Sequence, residues 1–363
     1  MNVGIISCFI SNEMRINSVK AFFQNRGHVV TVIESDFIHL NKTYRTNPSE
    51  GHIYLHTRYY KKNLSVSRLY SHAKFAKTVV RELAKHEFDL LYVLVPPNSL
   101  VKEINNFKKQ KNVKVIFDVV DLWPESLPLN ISTEFYPLVK WRSLRNKYIS
   151  CGDYIITQCD LYQQYFMVDR SKCKTVYFCK EKVIESKRED NHSHKLELAY
   201  LGSINNLIDI DKIEEIVSCL TKKYEVIVHV IGAGQKTEAF LEALENNNAK
   251  VVFYGEVYNP HQLAEIFTGC DFGLNIYKPM TRIGMTLKSI DYFCYGLPII
   301  NSISCDTERL VEQYNAGINL KDFSLEKIED YRASENKIAD LLEKELSLSA
   351  YEIKMQQILD ELF

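Results

Sequence analysis

Residues 282–298 read Arg-Ile-Gly-Met-Thr-Leu-Lys-Ser-Ile-Asp-Tyr-Phe-Cys-Tyr-Gly-Leu-Pro. Gly284 and Thr286 are helix-start residues, Gly296 is a helix stop, and Pro298 opens the next apolar run. The stretch therefore predicts a helix over 286–295 followed by a strand over Pro298–Asn301. Lys288 falls in the first turn of that helix, and Asp291, three residues on, shares its face. A helix N-terminus binds anions through its unpaired N–H groups and its dipole. One reading makes Thr286 and Lys288 a phosphate site, with Asp291 accepting hydrogen bonds from sugar or ribose hydroxyls. The other makes Lys288 and Asp291 an i,i+3 salt bridge on a solvated helix.

The same alternation of short apolar runs and amphipathic stretches continues on both sides of this segment. Upstream it predicts strands at Leu196–Leu201, Glu225–Val230, Lys250–Tyr254 and Phe272–Ile276, with helices near 209–222, 237–246 and 260–267. Downstream come a strand at Gly317–Leu320, helices at 307–314 and 325–331, and two helical segments in 335–362. The first half repeats the rhythm. Strands are predicted at Asn2–Ser7, Val29–Ile33, Ile53–His56, Leu90–Val95, Val113–Asp118, Tyr154–Thr157 and Thr175–Phe178, with helices near 13–26, 66–86, 99–109, 134–150 and 160–168. This is the βαβ rhythm of parallel sheets covered by helices. The fold class is α/β, with two Rossmann-like, doubly wound parallel-sheet domains. The polar stretch 181–195 reads as the linker between a domain over 1–180 and a second over 196–345. A terminal helix, 346–363, is expected to pack back on the first domain.

With 363 residues, 46% apolar and 25% charged, the chain is long enough for two cores. The net charge of −1 conceals a polarity: residues 1–180 hold 26 Lys and Arg against 15 Asp and Glu, and the remainder holds 19 against 31. Two halves of +11 and −12 imply different partners. No apolar run reaches the roughly 18 residues of a membrane span. The N-terminus reads as a first strand and not as a signal peptide. The nine cysteines form no CxxC pair, which argues against a zinc site or a disulfide framework and for a reducing cytoplasm.

Three strand-end turns precede the 282–298 segment. Leu201-Gly202-Ser203 allows close backbone approach to a ligand, and bare N–H groups there can hold phosphate. Ile231-Gly232-Ala233-Gly234 lacks the third glycine of a dinucleotide fingerprint, because Thr237 stands in that place, and it is not a Walker A loop. Gly255-Glu256-Val257 follows the third strand. Together the three loops suit the floor of a nucleotide pocket.

At these spacings the C-terminal half, over about 196–320, resembles glycosyltransferase family 4 and its GT-B-fold relatives. Lys288, Asp291, Tyr292, Gly296 and Pro298 match that family's Pro-x-Lys-x-x-Glu-Tyr-x-x-x-Gly-x-Pro string. The resemblance implies two facing domains with an interdomain cleft, a nucleotide-sugar donor such as a UDP-sugar, and retention of anomeric configuration. It also implies donor contacts at Gly202, Ser203, Gly232, Gly255, Glu256, Val257, Arg282, Gly284, Thr286, Lys288 and Asp291. No cofactor and no metal are expected. Three departures stand out. Ile283 occupies the place of the family's first glutamate. Asn205, Asn206 and Leu207 replace the basic residues after the first loop. The Ser7–Arg15 loop has no glycine.

In the first half, Asp121-Leu122-Trp123-Pro124-Glu125-Ser126 resembles a string in members that build bacterial surface polysaccharides. It makes Asp121 and Glu125 the candidate catalytic carboxylates, although a helix-cap or turn role for Asp121 stays open. A histidine often precedes this aspartate in relatives, and Val120 stands there. Residues 57–86 carry eight Lys and Arg against one acid, Glu82. Arg58, Lys61, Lys62, Arg68 and Lys74, with Trp141, Arg142 and Arg145 on a second helix, are the candidate membrane or acceptor surface. A solvated charged face is the bland alternative, and no nucleic-acid motif is present.

The sequence thus predicts a cytoplasmic glycosyltransferase, peripheral on the inner face of the membrane. It would transfer a hexose or related sugar to a lipid-linked or glycan acceptor, for example in capsule or other polysaccharide assembly. A non-catalytic GT-B subunit that recognises glycan and supports a partner enzyme is the rival. An epimerase on the same fold would need more acids than the motifs supply.

Overall fold

The computed structural model describes residues 1–46, 49–127, 135–181, 183 and 194–363. The chain separates into two compact units, one of Met1–Val176 with Glu352–Phe363 and one of Tyr177–Tyr351. Most of the predicted linker, 182 and 184–193, lies outside the described residues.

The first unit runs β1 (Asn2–Ser7), α1 (Glu13–Gln24), β2 (Val29–Ser35), β3 (Phe37–Ile38), β4 (Thr43–Tyr44), β5 (His52–Leu55), α2 (Val66–Leu83), β6 (Leu90–Val95), α3 (Asn98–Lys108), β7 (Lys114–Val119), α4 (Tyr136–Asn146), β8 (Tyr154–Thr157), α5 (Asp160–Gln163) and β9 (Cys173–Thr175). Its main sheet has the order β5-β2-β1-β6-β7-β8-β9, and every pair is parallel. β6, Leu-Leu-Tyr-Val-Leu-Val, is buried at all six positions, as a central parallel strand covered on both faces must be. Chain order reverses between β1 and β6, so the loops leaving β1, β2 and β7 gather where open α/β sheets place their ligands.

The second unit runs β10 (Lys195–Leu201), α6 (Ile210–Leu220), β11 (Glu225–Ile231), α7 (Thr237–Glu245), β12 (Lys250–Gly255), α8 (Pro260–Thr268), β13 (Phe272–Asn275), α9 (Leu287–Cys294), β14 (Ile299–Asn301), α10 (Asp306–Gln313), β15 (Gly317–Asn319) and α11 (Leu325–Arg332), then α12 (Ile338–Leu341). Its sheet, β12-β11-β10-β13-β14-β15, is also all parallel and reverses between β10 and β13. Leu198 and Tyr200 of β10 pack with Val228 and Val230 of β11, Leu274 of β13 and Phe240 of α7 in one core. Each such side chain contributes roughly 1.5–3 kcal/mol of burial.

Helix starts follow the capping chemistry. Thr286 accepts from the Ser289 amide at the head of α9, and Ser65, Asp209, Asn259 and Ser324 cap α2, α6, α8 and α11 in the same way. Gly296, at φ +68°, closes the turn after α9.

Several boundaries differ from the predictions. The last strand of the first unit is Cys173–Thr175 and not Thr175–Phe178, because register with β8 sets it. Helix 160–168 shrinks to Asp160–Gln163. Helix 134–150 ends at Asn146, and the residues 128–134 before it lie outside the described residues. The tail holds a π-helical turn over Leu342–Leu346 before α13 (Leu348–Leu362). Residues Glu352–Phe363 belong with the first unit, where Arg26 donates to Gln356 at 3.0 Å and Lys174 to Gln357 at 2.9 Å. Among the described residues, no helix is long and apolar enough to cross a membrane.

Candidate functional site

The three glycine turns of the second unit stack on one another at the carboxyl ends of β10, β11 and β12. Gly202 donates to the Ile231 carbonyl at 2.8 Å, Ile204 to that of Ala233 at 3.1 Å, and Gly232 to that of Gly255 at 2.6 Å. At Gly232, with φ +125°, an added Cβ would lie 2.1 Å from the Gly202 carbonyl oxygen. Only glycine permits that approach.

Beneath this floor lies Lys288, in the first turn of α9 and only 8% exposed. A Cβ on Gly202 would sit 3.5 Å from its Cε. Its Nζ makes no hydrogen bond. It stands 3.8 Å from the Tyr200 ring centroid and 5.1 Å from that of Tyr277. Burial pushes the ammonium down to about 7. A buried ammonium with no hydrogen-bond partner among the described residues, set over two aromatic rings, is suited to an incoming anion.

The other candidates divide. Asp291 does not pair with Lys288; its carboxylate accepts from Lys180, so the i,i+3 salt bridge is absent. Burial raises the Asp291 carboxyl and the Lys180 charge opposes that shift. Thr286 is the helix-start residue the sequence indicated: its hydroxyl accepts from the Ser289 amide and donates to Asn275, both at 3.0 Å. The Gly284 carbonyl accepts from the Thr307 amide at 2.9 Å and its hydroxyl at 2.8 Å. Ser203, Glu256 and Arg282 are exposed and Val257 is half-buried. Tyr292, from the matched string, docks α9: its hydroxyl accepts from the Leu201 amide at 2.7 Å, and an added Cβ at Gly273 would meet its ring at 2.7 Å.

Sequence reasoning missed an asparagine ladder. Asn275, Asn301 and Asn319 each end a strand of this sheet. Asn275 donates to Asn301 at 2.9 Å, Asn301 to Asn319 at 2.9 Å, and Asn319 to the Glu308 carbonyl at 3.1 Å. All three are buried. Through Thr286 the ladder holds the head of α9. A faint signal was present, because an asparagine lies at or one residue before the end of each of three predicted strands, Phe272–Ile276, Pro298–Asn301 and Gly317–Leu320.

In the first unit, Asp121 is half-buried beyond β7, and its Oδ1 accepts from Ser126 at 3.1 Å. Burial pushes its carboxyl up to about 6. Glu125 is a correction. Its two oxygens accept from Arg145 at 2.7 and 3.3 Å, and both side chains are buried. A bidentate buried pair is a structural clamp between this loop and α4, and it removes both Glu125 as a free catalytic acid and Arg145 as a surface cation. Arg68 is a second correction: it is 5% exposed and its guanidinium lies 4.3 Å from the Trp123 ring centroid. Arg58, Lys61, Lys62 and Lys74 are exposed, and Trp141 and Arg142 are half-buried. Among the described residues, no group of His, Cys, Asp and Glu could hold a metal ion.

No family model matches the chain, and no curated protein matches it in sequence. Its structure is similar to solved ones along its whole length. Sucrose-phosphate synthase from Thermosynechococcus elongatus aligns with a TM-score of 0.72 at 11% identity, over 100% of this chain and 99% of that one. The lipopolysaccharide outer core galactosyltransferase WaaB, in its apo form, aligns at 0.68 and 14%, over 100% of both chains. Anabaena Alr3699/HepE in complex with UDP and glucose aligns at 0.64 and 11%, over 99% of both. These likenesses, with the two reversing parallel sheets, establish the GT-B fold.

Proposed function

We propose that the protein is a glycosyltransferase that moves a sugar from a nucleotide-diphosphate donor, a UDP-sugar, to a glycan or lipid-linked acceptor. The observation that carries this reading is Lys288, buried without a partner under the Gly202 turn at the head of α9. An anionic diphosphate set there would be held by the ammonium, by the dipole of α9 and by the glycine-turn amides. Stabilising a diphosphate leaving group needs no enzymatic nucleophile and no metal, in keeping with a retaining transfer. The Gly255–Tyr258 loop would take the base. The UDP and UDP-glucose complexes of a protein with this fold support the same donor class, and the likeness to a lipopolysaccharide outer core galactosyltransferase supports a role in surface polysaccharide assembly.

Isothermal titration with UDP is the test. Micromolar to sub-millimolar binding is expected, with Lys288→Ala weakening it at least tenfold. An absence of binding, or an unchanged affinity in the variant, would defeat the reading.

A non-catalytic GT-B subunit is the second reading. It draws on Ile283, on Asn205 and Asn206 where relatives carry functional side chains, and on Glu125 being held by Arg145. Sugar transfer or donor hydrolysis by the purified chain alone rejects it.

Membrane association at the cytoplasmic face belongs to the same proposal. Arg58, Lys61, Lys62 and Lys74 stand beside exposed Tyr59, Leu64, Val66 and Tyr70. This mixture of cations and apolar tips suits an anionic bilayer surface.

A further inference from the structure

At the carboxyl edge of the first sheet, residues from four separate segments meet around one group of unmet hydrogen-bonding atoms. Phe9 follows β1, His39 follows β3, Trp123 follows β7, and Tyr60 precedes α2, which carries Arg68 and His72. Phe9 lies edge-on to His39 at 5.1 Å, to His72 at 5.3 Å and to Trp123 at 5.4 Å between ring centroids. His72 stacks on Trp123 at 6.3 Å, and Tyr60 meets it edge-on at 5.9 Å. The Arg68 guanidinium sits among the rings, 4.3 Å from Trp123, 5.5 Å from Phe9 and 5.7 Å from Tyr60.

What distinguishes this cluster from an ordinary aromatic core is its polar bookkeeping. His72 is 2% exposed, and neither of its ring nitrogens has a partner. The Arg68 Nε is likewise buried and unpartnered, although the guanidinium also donates to the Asn63 carbonyl at 2.8 Å. His39 Nδ1 is a third orphan. Native structures leave very few buried donors and acceptors unmatched, and each costs stability. Charge points the same way. Among the described residues no carboxylate pairs with Arg68, and Lys42 adds a second cation, 4.8 Å from the Tyr60 ring centroid. Asp121 acts on Arg68 only through space. Burial and the Arg68 charge hold His39 at about 4 and hold His72 well below its usual value, which favours neutral imidazoles that each offer one donor and one acceptor.

We propose that Arg68, His72 and His39, walled by Phe9, Tyr60 and Trp123, bind an oxyanion carried on a sugar ring, so that the acceptor is an acidic saccharide. The Arg68 Nε–H and an imidazole N–H meet the carboxylate or phosphate oxygens. The remaining imidazole nitrogens meet a ring hydroxyl, and the aromatic faces pack the apolar side of the sugar. The word acceptor rests on the transferase reading, but the binding itself does not.

Titration of the full-length protein with glucuronic acid, glucose 1-phosphate, inorganic phosphate and methyl glucoside tests this. One of the two acidic sugars is expected to bind at least tenfold tighter than methyl glucoside and than inorganic phosphate. A preference for glucuronic acid identifies a carboxylate and a preference for glucose 1-phosphate identifies a phosphate. Arg68→Gln should weaken that binding at least tenfold and Arg68→Lys by less. His72→Phe, which keeps the ring packing, should weaken it without changing near-UV circular dichroism. In the native protein, the His72 imidazole nitrogen resonances should move on addition of the acidic sugar, a readout that needs no variant. Equal affinity for the neutral sugar, no binding of either acidic sugar at millimolar concentration, or an unmoved His72 resonance overturns the proposal. UDP titrated into the same sample separates the two ideas: loss of UDP binding defeats the donor site alone, and loss of acidic-sugar binding defeats this one alone.

Discussion

Lys288 carries its ammonium into the protein interior without a hydrogen-bond partner. Its ammonium is held at about 7, well below the usual lysine value of 10.5, by burial alone. Between pH 7 and 10.5 the unfolded chain therefore carries a proton that the folded protein lacks, so stability rises with pH through that window. Below pH 7 both states are protonated, and the full desolvation cost, on the order of 5 kcal/mol, is present. Lys288→Met should accordingly melt at a higher temperature than the native protein at pH 6, with the gap closing by pH 10 in thermal denaturation. A bound diphosphate reverses the shift, because it favours the charged form. UDP binding at pH 8 should then take up close to one proton, measured as the dependence of calorimetric heat on buffer ionisation enthalpy, and the uptake should vanish in Lys288→Met. Lys288 was legible as a candidate because its place in a helix-start string is a local property. Its freedom from Asp291 was not, because Lys180, far off in sequence, takes that carboxylate.

Two buried polar connections set the loops that bear the candidate sites. The Glu125–Arg145 pair ties the segment after β7 to α4. Removing one partner strands a buried charge, so Glu125→Leu should destabilise the protein by about 3–5 kcal/mol, while Glu125→Leu with Arg145→Leu should recover most of the loss. Chemical denaturation of the single and double variants measures this. If Glu125 were a catalytic acid and nothing more, the single variant would lose activity with no loss of stability. The Asn275–Asn301–Asn319 ladder does the same for α9 in the second unit. Asn301→Leu leaves two amides unsatisfied and should cost about 2–4 kcal/mol. It should also weaken UDP binding several-fold, since Asn275 anchors the Thr286 cap. The element types themselves were readable from periodicity and caps, most clearly in α9, where Thr286 and Gly296 mark both ends. Short elements at the sheet edge were misplaced, because β9 takes its limits from its neighbour β8 and not from its own residues.

Across the molecule, the charge polarity of +11 and −12 between the halves is distributed more selectively than a count of basic residues implies. Of the basic positions singled out in the first half, Arg68 and Arg145 are buried, while Arg58, Lys61, Lys62 and Lys74 remain at the surface. Membrane attachment, if carried by the latter, should respond to them alone. Lys61→Glu with Lys62→Glu should abolish flotation with phosphatidylglycerol vesicles at 0.1 M salt, leaving UDP affinity unchanged; co-flotation with neutral vesicles to the same extent would refute the electrostatic basis. The two parallel sheets, their approximate strands and helices, and the glycine turns that close β10, β11 and β12 could all be read in the chain, because hydrophobic period, capping and backbone freedom act over a few residues. The fate of each charge could not. A guanidinium looks alike in sequence whether it faces solvent, clamps Glu125 or lies among Phe9, Tyr60 and Trp123. Only packing between distant segments determines which polar groups find partners and which, like the Lys288 ammonium and the His72 nitrogens, are buried without a hydrogen-bond partner.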